Sequence, residues 1–311
     1  MIINIFKNFQ IILSVLFLYL VFSVLTNNLN AKKYTSSNEM LETDWSDPKE
    51  LELTWTNSVI QIPIKKGKSK KSNLKKLIKE FNNTKKKFST IIYMHSCLGH
   101  TFLTSKRLKL LADNGFLVIA PDSFSRKKYP ISCNFLTGKS GLYQGIINLR
   151  AWDLGNAIEQ AKKLPFIDND NIIIMGLSEG ASVVAVFPPQ NEYHKVKSRI
   201  IESWGCPSEQ ELYPRNEAFK NKSPELNVIA ADKDEIILTM LALNDPYFKH
   251  IKNKQGCGPL LNKINGSMDY IYSKDNLKNK HGLLNSKQPR EDLLNFLEKI
   301  VPEKERFFPY N

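Results

Sequence analysis

Several things are scarce in this chain, and each shortage excludes a class of protein. Only 4 of its 311 residues are cysteine, so disulfides cannot replace a core as they do in small secreted scaffolds. Glycine (14) and proline (15) are too few for a collagen or a low-complexity chain. There is a single long apolar run, near the N-terminus, which excludes a multi-span transporter. Histidine occurs only 5 times, which shortens the search for a general base or a metal set. What the chain does have is 42% apolar residues, enough for one large core or two small ones.

It also carries a formal charge of +13, and that charge is local. Between Lys65 and Lys87 there are 11 lysines and one acid, Glu80. Within this run Leu74, Leu77, Ile78 and Phe81 recur at helical spacing, with lysines on the opposite face. The run reads as a solvated, lysine-rich insert at 65–87. It lacks aromatic interleaving and any nucleic-acid motif, so no nucleic-acid partner is expected. Contact with an anionic lipid surface is the competing reading.

Residues 1–10 hold one cation, Lys7, and no anion. Ile11–Leu25 is apolar, and small and polar residues follow to Asn30-Ala31-Lys32. This is the layout of a secretory signal peptide over residues 1–31. Counting Ile5, Phe6 and Phe9 lengthens it toward an uncleaved inner-membrane anchor, the alternative. Either one exports the rest, and the periplasm is the expected location. Residues 32–50 are polar and read as an extended segment.

From residue 51 onward, short apolar runs alternate with helical patterns. Leu51–Trp55 and Val59–Ile64 read as a leading strand pair. Residues 88–94, 116–120, 171–175, 199–204, 226–231 and 268–272 read as further strands. Helices are expected over 74–81, 103–114, 142–163, 181–187 and 292–300. No repeat or long linker divides residues 51–311. The pattern predicts a single α/β domain, a mostly parallel sheet of about eight strands with helices on both faces.

The chemistry falls at strand ends. Gly176-Leu177-Ser178-Glu179-Gly180 follows the strand Asn171–Met175 and precedes a helix, the context of a nucleophile elbow. A serine hydroxyl needs a base. In this fold the acid and then the histidine follow the nucleophile. The run 226–231 leads into Asp232-Lys233-Asp234-Glu235, and His281 lies in the polar loop after the last strand. The order Ser178, Asp234, His281 fits, with Asp232 as the alternative acid and His250 as the rival base. His194 reads as a surface residue. Oxyanion donors are expected from the backbone N–H of Glu179 and from the loop His95-Ser96-Cys97-Leu98, with Cys97 preferred and Leu98 next to it. His95 reads as a structural hydrogen-bonding residue. Arg126 and Leu98 are candidates for lining a substrate pocket. No second cluster completes a metal site around His95, Cys97 and His100, and the expected chemistry uses no metal or organic cofactor.

Taken together, IIYMHSCLGH, ADNGFLVIAPDSFSR, IIIMGLSEGA, VIAADKDE and KNKHG resemble the alpha/beta-hydrolase superfamily, and within it the dienelactone hydrolase family, over residues 50–300. The resemblance implies an eight-stranded sheet, a nucleophile–aspartate–histidine triad, and hydrolysis of esters, lactones included. The family's glycine, two residues, then acid falls on Ala231-Asp232-Lys233-Asp234, which favours Asp234. Its histidine falls on His281. Two departures stand out: Ser178 replaces the cysteine of dienelactone hydrolase proper, and Ser96 follows His95 where the family has glycine.

Four cysteines allow three pairings, and an oxidising compartment would favour two disulfides. Chain locality favours Cys97 with Cys133 and Cys206 with Cys257. The expected protein is an exported serine hydrolase of a small-molecule carboxylic ester or lactone. The same apparatus would serve a peptidase or an acyltransferase. A non-catalytic protein binding an anionic surface through its lysines is the alternative of a different class.

Overall fold

The computed structural model describes residues 32–34, 42–130, 133–134, 139–140, 143–189, 191–206, 229–247, 256–261 and 266–306. One sheet of eight strands organises them. In chain order the strands are β1 (Val59–Lys65), β2 (Lys68–Asn73), β3 (Phe88–Met94), β4 (Leu117–Ala120), β5 (Ile167–Leu177), β6 (Ser198–Glu202), β7 (Ile236–Ala242) and β8 (Met268–Tyr272). Across the sheet they run β8-β7-β6-β5-β3-β4-β1-β2. Only β1 opposes the rest, pairing antiparallel with both β2 and β4. The longer helices are α1 (Pro48–Thr56), α2 (Leu74–Phe81), α3 (Phe102–Asp113), α4 (Tyr143–Lys162), α5 (Glu179–Val186) and α6 (Lys287–Ile300).

The central strands explain the layers. All seven residues of β3 are buried, as a strand covered on both faces requires. Side chains alternate across it: Phe88, Ile92 and Met94 join one core with α2, α4 and α5, while Ile91 and Tyr93 join the other with α3 and α6. Each such apolar side chain contributes roughly 1.5–3 kcal/mol by leaving water.

The elements at the start of the domain differ from the sequence reading. Leu51–Trp55 is not a strand but lies within α1. Asp47 caps that helix by accepting from the Lys49 N–H, Pro48 opens it, and Leu51, Thr54 and Trp55 are its buried face. Five residues of apolar alternation cannot separate period 2 from period 3.6, and here the cap decides. The polar segment expected to be extended over 32–50 contains a helical turn, Glu42–Trp45, in addition to the start of α1.

The lysine-rich run is part of the sheet rather than an insert in it. Its first half forms β2, an edge strand, and its second half contains α2, with Leu74, Leu77 and Phe81 buried. Lysine on an edge strand discourages pairing with another chain. Every lysine from Lys65 to Lys87 is exposed except the half-buried Lys86.

The strand expected at 226–231 also shifts. Residues 226–228 lie outside the described residues, and Ile229–Ala231 are not in a strand. The strand is β7, ten residues later and fully buried over Ile237–Ala242. Residues 1–31 and His250 lie outside the described residues as well. Among those described, no helix is long and apolar enough to cross a membrane.

Candidate active site

Ser178 links β5 directly to α5. Its backbone sits at φ 58 and ψ −119, a strained conformation for a residue with a Cβ. The neighbouring glycines make that turn sterically feasible. A Cβ on Gly176 would lie 2.1 Å from the Gly180 carbonyl oxygen, and one on Gly180 would lie 2.2 Å from that of Met94. The turn is tied across the sheet, where the Ser178 N–H donates to the Glu202 carbonyl at 2.9 Å. The half-buried side chain thus stands at the C-terminal edge of the sheet.

His281 comes from the loop between β8 and α6. Its Nδ1 lies 2.9 and 2.8 Å from the two carboxylate oxygens of Asp245. Asp245 is 1% exposed and follows the C-terminal end of β7. It also accepts the Tyr247 N–H at 3.0 Å, and the Tyr247 ring lies 4.4 Å from the His281 ring. A carboxylate only accepts, so Nδ1 is the nitrogen that donates, which in a neutral ring makes Nε2 the acceptor.

The histidine loop is carried back over β6. Ser203, directly after that strand, donates its hydroxyl to the His281 carbonyl. Glu202, one residue earlier, accepts the Leu284 N–H at 3.1 Å and takes two bonds from Arg107 of α3, at 2.9 and 2.8 Å. The same Glu202 receives Ser178 through its carbonyl. Glu202 and the adjacent Ser203, at the end of β6, therefore tie down both the serine turn and the histidine loop.

The sequence reading of the acid does not meet His281. Asp232 and Asp234 precede β7, at the opposite end of that strand, and Asp234 is exposed. Asp245 takes the place expected of them. The misplaced strand caused the error, since the acid was sought after 226–231. A usable signal was present in the apolar, β-branched run Ile236–Ala242, followed by Asn244-Asp245.

Arg126 does not line the site. It is 2% exposed and donates to Asp153 and to the carbonyls of Asp44 and Trp45. This fastens the N-terminal helical turn to α4. His194, expected at the surface, is buried and bonded to Glu159 at 2.9 Å.

The loop expected to supply an oxyanion donor follows β3. Leu98 N–H turns back to Ser96 Oγ at 3.4 Å and Gly99 N–H to the Ser96 carbonyl at 3.1 Å, so both fold back onto Ser96 on either side of the loop tip. Glu179 is the first residue of α5, where helix N–H groups have no acceptor within the helix. Leu98, Phe102 and Leu103 are exposed beside this loop and give it an apolar rim.

His95 is fully buried. Its Nδ1 donates to the Ser96 carbonyl at 2.7 Å, and its Nε2 accepts the Ser123 N–H at 3.3 Å. Burial, and then the Arg150 charge, hold its pKa well below the ordinary histidine value; burial lowers that of His100 too. Both are neutral structural groups at neutral pH. Among the described residues His95, His100 and Asp122 form one three-donor cluster of the kind that holds metals. With both His95 nitrogens already engaged and Arg150 beside it, the set does not fit a resident metal.

Two disulfides, Cys97–Cys133 and Cys206–Cys257, pair the cysteines. Such bonds persist in oxidising compartments outside the cytosol.

A mixed eight-stranded sheet, helices on both faces and a strand–serine–helix elbow at its C-terminal edge define an alpha/beta-hydrolase fold. Solved structures of similar fold include a protein described as a dienelactone hydrolase from Klebsiella pneumoniae subsp. pneumoniae, 15% identical, with a TM-score of 0.47 over 70% of this chain and 88% of that one. A dienelactone hydrolase-like promiscuous phosphotriesterase from metagenomic libraries is 10% identical, with a TM-score of 0.43 over 71% and 89%. Esterase 2 of Thermogutta terrifontis is 12% identical, with a TM-score of 0.44 over 70% and 85%. No family model and no curated protein matches the chain.

Proposed function

We propose that this chain is a serine hydrolase that cleaves a carboxylic ester or lactone through an acyl-enzyme. The pairing of His281 with Asp245 over the same sheet edge as the Ser178 elbow supports this reading most directly. Ser178 Oγ attacks the carbonyl carbon as His281 Nε2 takes its proton, and Asp245 holds the ring and balances its charge. The developing oxyanion accepts from the N–H groups of Glu179 and Cys97. Collapse expels the alkoxide, which takes the proton from His281. Water, activated by the same imidazole, then releases the acid and restores Ser178.

The test is hydrolysis of p-nitrophenyl acetate with a pre-steady-state burst, together with fluorophosphonate labelling mapped to Ser178. A wild-type protein that neither turns over nor labels refutes the reading. The apolar rim of Leu98, Phe102 and Leu103 suits a small apolar acyl or alcohol group. A panel of esters, lactones and peptides separates hydrolysis of esters from the peptidase and acyltransferase readings.

Export to the periplasm is part of the proposal, and the two disulfides support it. Fractionation of cells expressing the full chain checks it. The exposed lysines of β2 and α2 favour a second, compatible property, attachment to an anionic membrane. Salt-sensitive sedimentation of the Ser178→Ala protein with phosphatidylglycerol vesicles would establish it, and equal binding to neutral vesicles would dismiss it.

A further inference from the structure

Arg150 is a buried cation that the mechanism above does not use. It projects from α4 and is 1% exposed. Its Nη1 donates to Glu179 Oε1 at 2.6 Å, and its Nη2 donates to the carbonyl oxygen of His95. Glu179 is itself 3% exposed, so neither charge is relieved by water.

The two groups it joins have particular positions. Glu179 supplies one oxyanion N–H from the first residue of α5. His95 begins the loop that supplies the other, two residues before Cys97. The two backbones already touch here, since a Cβ on Gly180 would lie 2.5 Å from the His95 carbonyl oxygen. They belong to different strand–helix units, whose strands β3 and β5 pair as far as Met94 and Gly176, so the spacing of the segments beyond that last pair is left to other contacts to set. A planar guanidinium with donors at a set angle can do so.

We propose that Arg150 is a positioning residue that sets the spacing of the two oxyanion donors by bridging the Glu179 side chain and the His95 carbonyl. It touches neither substrate nor nucleophile. Its effect reaches the reaction only as the carbonyl oxygen gains charge, so it acts on the transition state and not on ground-state binding. The inference rests on the acyl-transfer reading of Ser178.

The test compares wild type with Arg150→Met, Arg150→Lys, Glu179→Ala and Glu179→Gln. Active sites are counted by fluorophosphonate titration run to completion. The probe is an alkyl trifluoromethyl ketone. Ser178 Oγ adds to its carbonyl carbon, the carbonyl electron pair moves onto oxygen, and the serine proton passes to His281. That oxygen then occupies the hole. Per active site, Arg150→Met is expected to lower kcat by about 10- to 100-fold and to weaken the ketone by a matching factor, with KM within about twofold. Arg150→Lys, a single point of charge, falls between. Glu179→Gln, whose amide oxygen still accepts from Nη1 but carries no charge, falls between, whereas Glu179→Ala follows Arg150→Met.

A purely structural arginine would reduce the titratable fraction and leave ketone affinity per site unchanged, and that result overturns the proposal. Should Arg150→Met not fold, the two Glu179 variants decide by the same readout. An inert, unlabelled wild type would sink the acyl-transfer reading and this inference with it. An active wild type with indifferent variants sinks only this inference.

Discussion

Strand β7 has a buried carboxylate beyond each end, and the two have different partners. Before the strand, Glu235 pairs with Arg199 through Nε and Nη2. The third Arg199 nitrogen, Nη1, donates to the carbonyls of Val184 and Phe187 at 3.0 and 2.6 Å. After the strand, Asp245 pairs with one nitrogen of His281. Both acids are almost completely buried. The first pair is saturated: a guanidinium has no lone pair, and its donors are spent on the fold. The second pairs its acid with an imidazole, a ring that can both donate and accept a proton. Burial of a charge pair therefore does not by itself mark a reactive site.

This contrast can be broken in order of expected effect. Ser178→Ala or His281→Ala should lower kcat/KM for p-nitrophenyl acetate by about 10⁴-fold or more, and Asp245→Asn by about 10³- to 10⁴-fold. Asp234→Asn, by contrast, should stay within twofold. A larger loss at Asp234 than at Asp245 would reverse the assignment of the two strand ends. At the other end, Glu235→Ala leaves Arg199 buried without its carboxylate. It should cost about 3–5 kcal/mol of unfolding free energy in urea titration, with kcat per labelled site unchanged.

The disulfides close loops of 36 and 51 residues, both anchored in segments beside the C-terminal edge. Each contributes about 4 kcal/mol at most on the chain-entropy account, so denaturant midpoints should fall markedly in dithiothreitol. Little or no shift would mean that the packed sheet alone carries the fold.

The smallest effect is on pH. His95 is held neutral in the folded chain, while the unfolded chain takes up a proton near the ordinary histidine value of about 6.5. Its contribution is complete above that pH and declines as the pH falls below it, by up to about 1.4 kcal/mol per unit. His100 shifts in the same direction and adds to the slope. Stability measured from pH 7.5 to 5 should decline for wild type and flatten for His95→Asn. An unchanged slope in that variant would assign the acid sensitivity elsewhere.

Much of this architecture was legible in one dimension. The runs that became β3, β4 and the second half of β5 announce themselves as largely apolar segments of strand length, because strands covered on both faces favour them. The Ser178 turn was legible because it demands two glycines at fixed spacing. Asp245 was not. Two apolar runs, 226–231 and 236–242, compete for one strand, and local pattern favours neither. Arg126 looked like a pocket residue because sequence does not show where a long side chain's donors end up.

Order along the chain thus determined the layers and the serine turn, since these depend on neighbours within a few residues. Only the folded structure decided which aspartate meets His281, 36 residues away, and where the buried Arg126, Arg150 and Arg199 spend their donors. Backbone periodicity is a short-range property, whereas the pairing of a buried charge is set by whatever distant group shares its cavity.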